Sequence, residues 1–233
     1  MLCAIMSCSK NDDFRSNVKK SFCSTNSNKD ISDSIGYWHN VAICEIFLDQ
    51  SNGKLGKIPG YTYYEEQIKQ SLHNQDSVIF NFDLMSSKYY IADSLLDYLN
   101  VAHDDTITLD SNTFVVVFNY LKSQGEISEK LRQRLEEINQ IAHQPNTNLG
   151  EFMAQVADLD RYYDQIGDQE YIDALQATAL SSYEIWSENG TNPSEHPIIT
   201  IWSDAAGACY GLLLGPIGSI IEGALFSSLA EIN

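Results

Sequence analysis

The sequence predicts an all-α protein, a single multi-helix bundle of about eight helices ending in a glycine-rich helical hairpin. Three observations predict it. Apolar residues recur at three- and four-residue spacing through most of residues 31–233, the period of helices with one buried face. The breaks between these segments are short and carry Gly, Pro, Asn or Asp, as links between neighbouring bundle helices do. The one strand-like run, Val78-Ile79-Phe80-Asn81-Phe82, stands alone with no second strand to pair with.

Each element follows from its own residues. Asp33 to Phe47 reads as the first helix, capped by Ser32, Asp33 or Ser34, with Ile35, Trp38, Ala42 and Ile46 on one face. Residues from Ser51 to Gly60 form a loop. Tyr61–Asn74 and Ser87–Ala102 read as the next helices, the latter turning Tyr90, Ile91, Leu95, Tyr98 and Leu99 inward. Asp110–Gln124 carries Phe114, Val115, Val117, Phe118 and Leu121; its β-branched content suits a strand, yet the spacing favours a helix, and Gly125 ends the segment. The clearest amphipathic pattern is Ile127, Leu131, Leu135, Ile138 and Ile141 or Ala142, with Arg132, Arg134, Glu136 and Glu137 on the wet side. A turn at Pro145–Asn148 leads into a helix over Leu149–Ile166, with Phe152, Val156, Leu159 and Tyr163 as its face. Gly167 is expected to stop that helix and Asp168 to cap the following one, whose stripe is Ile172, Leu175, Ala179, Ser182, Tyr183 and Trp186. Residues from Asn189 to Pro197 link it to the hairpin.

The hairpin, residues 202–231, organises the chain. Gly207, Gly211 and Gly215 recur every fourth residue and form a side-chain-free stripe on a helix. Gly218 and Gly223 follow, with Ala205, Ala206, Ala208 and Ala224 filling in small. Such a surface lets another helix backbone approach closely, in a core or in a bilayer. The apolar run from Ala205 to Ile221 is bounded by Asp204 and Glu222 and interrupted at Gly215-Pro216, the stop-and-restart signature of two short helices. It falls short of the roughly 20 residues of a straight span, and no Lys or Arg follows Arg161 to anchor one. A hairpin buried in the protein's own core is therefore favoured over a glycine-zipper hairpin that inserts in membranes.

Charge and the N-terminal residues speak to address. The 233-residue chain has a formal net charge of −18. Up to Asp30 there are five Lys/Arg against three Asp/Glu, and thereafter nine against twenty-nine. A body of that sign repels phosphate backbones and argues against nucleic acid as a partner. Residues 1–30 read as a truncated lipoprotein signal followed by a flexible tether, and residues 31–233 as the helical domain. Ile5-Met6-Ser7-Cys8 resembles a lipobox, which makes Cys8 the candidate for lipid attachment. Ser9-Lys10-Asn11-Asp12-Asp13 behind it is similar to a surface-export signal of Bacteroidetes lipoproteins. Cys23, Cys44 and Cys209 show no C-x-x-C spacing, so neither a disulfide framework nor a zinc site is indicated.

The search for chemistry yields little. The Walker loop, H-E-x-x-H and G-x-S-x-G patterns are missing from the sequence. The five histidines lack ligand spacing, and Asp158, Asp160, Asp164, Asp168 and Glu170 lack the glycine and register of a calcium loop. No metal or cofactor is expected. His39 and Asn40 are the one candidate polar site, set on an otherwise apolar helix, with a structural hydrogen bond as the plainer alternative.

Asp33, Gly36, His39 and Asn40 form a D-x-x-G-x-x-H-N pattern. Together with Ile127–Lys130, Ala179–Trp186 and Asp204-x-x-Gly207-Ala208, it resembles an uncharacterised family of Bacteroidetes lipoproteins over most of residues 30–230. Glu222 departs from it, standing where a second Gly-Gly pair is common. The resemblance implies address and fold and carries no activity. The expectation is a non-catalytic, surface-exposed lipoprotein of the outer membrane that binds or assembles with a protein partner. The competing expectation is a bacteriocin-like, membrane-active effector using the hairpin.

Overall fold

The structure, a computed structural model, describes residues 35–51, 61–80, 109–188 and 197–230. Among the described residues the fold is all-α, a multi-helix bundle without strands. Its helices are α1 (Ile35–Ser51), α2 (Tyr61–Gln75), α3 (Ser111–Ser123), α4 (Glu129–Ala142), α5 (Leu149–Ala157), α6 (Ile166–Glu188), α7 (Pro197–Gly211) and α8 (Pro216–Ala230). Single 3-10 turns follow α5 (Asp158–Tyr162) and α7 (Leu212–Leu214). The helix expected over Ser87–Ala102 lies outside the described residues, as do the tether, Cys8 and the side chains of Cys44 and Trp186.

Short polar side chains start the middle helices. The Asp110 carboxylate accepts from Thr113 N–H at 2.8 Å, Ser128 Oγ from Leu131 N–H at 3.1 Å, and Asn148 Oδ1 from Gly150 N–H at 2.8 Å. Each satisfies an amide that the helix itself leaves without a partner. Gly125 ends α3 with φ of 78°. Its N–H donates to the Lys122 carbonyl and that of Glu126 to the Leu121 carbonyl, both at 3.0 Å, the paired bonds of a glycine-terminated helix.

Several expectations need correction. The segment Leu149–Ile166 is not one helix: α5 stops at Ala157, and a new helix begins at Ile166, before Gly167. Asp168 sets that restart. One of its carboxylate oxygens accepts from the backbone N–H groups of Asp164 and Gln165 at 3.0 and 3.1 Å, and the other from Ser128 N–H at 2.7 Å. One buried acid thus satisfies the entries to both α4 and α6. Tyr163, expected on a buried face, falls in the gap and is exposed. Arg134, expected on the wet side of α4, is buried. Its guanidinium lies 4.8 Å from the centre of the Tyr162 ring and donates to Glu137 and Gln155, so the stem packs while the head keeps its partners. Val78 and Ile79 sit in a turn, both amides donating to Asp76 Oδ1 at 3.0 Å. Pro197, placed in the linker by its sequence, is the first residue of α7, so the hairpin begins five residues earlier than residue 202.

The hairpin of α7 and α8 lies at the centre. It packs on itself most extensively; α8 also meets α1 and α2, and α7 meets α6 and the α3–α5 group. Trp202 joins α7 to that group. It is fully buried, with ring centroids of Phe118, Phe152 and Phe114 at 5.7, 6.2 and 6.4 Å. Its indole N–H donates to Asn139 Oδ1 at 3.0 Å, and Asn139 in turn donates to the Ser111 carbonyl at 2.9 Å. Replacing Trp202 with Ala should cost about 3–5 kcal/mol of stability through the cavity left between α3, α4, α5 and α7. Chemical denaturation measures it, and a loss below about 1 kcal/mol would contradict this placement.

Candidate functional site

The glycines of the hairpin are spent on helix contact. A Cβ placed on Gly207 would lie 2.5 Å from the Glu222 carbonyl oxygen and 2.8 Å from Phe226 Cβ. One on Gly211 would overlap the Gly218 carbonyl, and one on Gly218 the Gly211 carbonyl. The two helices therefore run antiparallel with their backbones touching. Gly215 is not on this stripe. It forms the turn, with φ 87° and ψ −174°, a region that only glycine enters readily. Pro216 then opens α8, with Ser219 N–H donating to the Gly215 carbonyl at 3.0 Å.

The polar residues singled out on the first helix also face inward. Gly36 brings α1 against α6, since its missing Cβ would sit 2.5 Å from the Ala177 carbonyl oxygen. One turn on, His39 and Asn40 are 0% and 1% exposed. Asn40 Nδ2 donates to the Ser181 carbonyl of α6 at 2.9 Å, which directs its Oδ1 to His39 Nδ1 at 3.2 Å. His39 Nε2 points toward Asp204 Oδ2 of α7 at 3.6 Å, and Ser182 Oγ of α6 donates to that same oxygen at 2.5 Å. From α8, Gly223 makes room for the ring: a Cβ there would lie 2.9 Å from His39 Cδ2. His39, Ser182 and Asp204 have no exposure at all. Four helices thus meet at one polar node, and burial lowers the His39 pKa to about 4, working against a charged imidazole.

Ser, His and Asp side chains together invite comparison with a hydrolytic triad, but the order of contacts is wrong for one. The serine donates to the aspartate rather than to the histidine, so the imidazole is not placed to take its proton. Sealed from solvent, the node has the chemistry of a helix fastener. Elsewhere, His73 Nδ1 lies 3.0 Å from the Phe80 carbonyl and His143 Nδ1 2.8 Å from that of Asn139, both local contacts. Among the described residues, no three of His, Cys, Asp and Glu converge as a metal site. Cys209 is buried, and burial pushes its thiol up to about 12, leaving it unreactive at neutral pH.

The sequence did not join Asp204 and Ser182 to His39: Asp204 stood as the boundary of an apolar run and in the Asp204-x-x-Gly207-Ala208 pattern, and Ser182 on a helix stripe. The signal was present: Asp204, Gly207 and Gly211 share a face at spacings of three and four, and Glu222 follows Gly218 by four. Acids on the glycine stripes face the partner helix, and both Asp204 and Glu222 are fully buried. Comparison with known proteins finds no matching family model, no similar curated protein and no similar solved structure.

Two substitutions test the packing and the node. Gly211→Ala should destabilise by at least about 1–3 kcal/mol, because the methyl meets backbone that cannot move without parting the helices. Asn40→Ala should cost about 1–3 kcal/mol by stripping buried partners from the Ser181 carbonyl and His39 Nδ1. Thermal and urea unfolding read both; a melting temperature unchanged by Gly211→Ala would refute the close approach.

Proposed function

We propose that this chain is a non-catalytic lipoprotein of the bacterial cell surface, tethered through lipid on Cys8 and acting by binding or assembly with a protein partner. One observation carries the non-catalytic part. Among the described residues, the cluster with the most chemical capacity, His39, Ser182 and Asp204, is fully buried, and a catalytic group must reach its substrate. The address rests on the lipobox-like residues ending at Cys8 and the Lys-Asn-Asp-Asp stretch behind it. The acidic body speaks against a nucleic-acid partner. Expressed behind a lipoprotein leader in a Bacteroidetes host, the protein should incorporate a fatty-acid label and be digested by protease added to intact cells. Cys8→Ser should abolish the label; retention of label by that variant would overturn the assignment.

A membrane-active role has one observation in its favour. The stretch Pro197–Leu214 is long and apolar enough to cross a bilayer by length and composition, although 78% of it is buried within the protein. Against insertion stand Asp204 within that stretch and Glu222 across from it, each expensive in hydrocarbon. We expect no dye release from anionic lipid vesicles by the full chain or by a peptide of residues 202–233 at micromolar concentration. Leakage by both would favour the effector over the binding module.

A further inference from the structure

The hydrogen-bond directions at the four-helix node lead to a statement about protons. Asn40 Nδ2 is committed to the Ser181 carbonyl, so the oxygen of its amide faces His39 Nδ1 and can only accept. The ring proton of neutral His39 therefore sits on Nδ1, and Nε2 presents a lone pair to Asp204 Oδ2. Were Asp204 ionised, two acceptors would face each other in a site with no water access. A single proton in this contact removes the conflict, whether it resides on the carboxyl group or on the ring.

We propose that His39 and Asp204 hold one proton between them in the folded chain, so that the seating of α1 on the α7–α8 hairpin loosens as pH rises above neutrality. The groups around the ring are few. From α7 comes Asp204; from α6, the uncharged Ser181 and Ser182; from α8, the Gly223 backbone, with fully buried Glu222 one residue before it. The remaining helix packed on α1, α2, carries buried Tyr64 and the Glu65–Lys69 ion pair at 2.6 Å. Among the described residues, Asp204 is the titratable group opposite Nε2, and the Gly223 backbone is a further hydrogen-bond partner of the ring.

The sign follows from counting protons. Above about pH 6.5 the unfolded pair, an ordinary aspartate and histidine, binds none, whereas the folded pair binds one. Stability then falls as pH rises, by about tenfold in the folding equilibrium per pH unit, until the folded pair releases its proton. Between about pH 4 and 6.5 both states hold one, and the pair contributes no slope. An ionised Asp204 beside neutral His39 predicts the reverse: stability falling as pH drops from 6.5 toward 4 and a flat profile above.

Urea unfolding of the full chain from pH 4 to 9 distinguishes the two, compared at each pH with D204N. Asparagine supplies a permanent N–H toward Nε2 and mimics the protonated acid. Because folded D204N keeps His39 neutral while its unfolded histidine takes up a proton below about pH 6.5, the wild-type minus D204N difference should fall roughly tenfold per unit from about pH 4 upward, while E222Q should keep the wild-type slope. A difference that stays flat from pH 4 to 9, as an ionised Asp204 beside neutral His39 requires, or a slope abolished by E222Q rather than D204N, overturns the proposal. Should D204N fail to fold, the wild type still decides. Histidine-labelled protein at pH 7 should show the His39 proton on Nδ1, by nitrogen NMR, with any second ring proton shared toward Asp204. A resonance pattern of the Nε2–H tautomer would refute it.

Discussion

Backbone contact between α7 and α8 is the constraint on which the rest of the structure depends. Gly207 and Gly211 let α7 lie against the Glu222 and Gly218 carbonyls with no side chain between. At that separation the residues flanking the stripes point outward from the pair, so almost every position from Thr200 to Ser228 is buried beneath some other helix. A hairpin this thin and apolar has no wet face. It requires a shell, and α1, α2, α6 and the α3–α5 group supply one from different sides.

Two fasteners hold that shell by different physics. Trp202 fills the space among Phe114, Phe118 and Phe152, and its single polar atom meets Asn139. Area and shape dominate there, since a large aromatic body buries more apolar surface than any other side chain. On the opposite side the fastener is polar. His39, Asn40, Ser182 and Asp204 join α1, α6 and α7, with Gly36 and Gly223 providing the clearance. Polar contacts of this kind lend direction more than energy, because their donors and acceptors line up in one arrangement of the helices and not in others. The pattern D-x-x-G-x-x-H-N gains a physical meaning from Gly36 onward: approach at the glycine, bonding at the next turn.

Where residues carried a strong local signal, the fold was legible. The amphipathic period of α4, the Asp110 and Ser128 caps, the glycine stop of α3 and the Gly215-Pro216 break all follow from rules acting within a few residues. The candidate pair His39–Asn40 was legible as an oddity, polar residues on an apolar face. Their partners were not, because Ser182 and Asp204 lie 143 and 165 positions further along the chain than His39. Misplaced elements share that cause. The entry to α6 is set partly by Asp168 reaching Ser128 across 40 residues, and Arg134 looked wet because its partners Tyr162 and Gln155 come from segments beyond its own helix.

By itself the sequence determined that this chain is helical, where most of its helices begin and end, and that its last segment is a close-packing surface; these are properties of spacing, caps and side-chain size. Only the tertiary structure decided what that surface packs against. It also turned three acids, Asp168, Asp204 and Glu222, from solvated charge into buried groups. Burial is a property of how distant segments pile up, and hydrogen-bond direction depends on a few tenths of an ångström between them. Neither quantity exists until the helices are assembled.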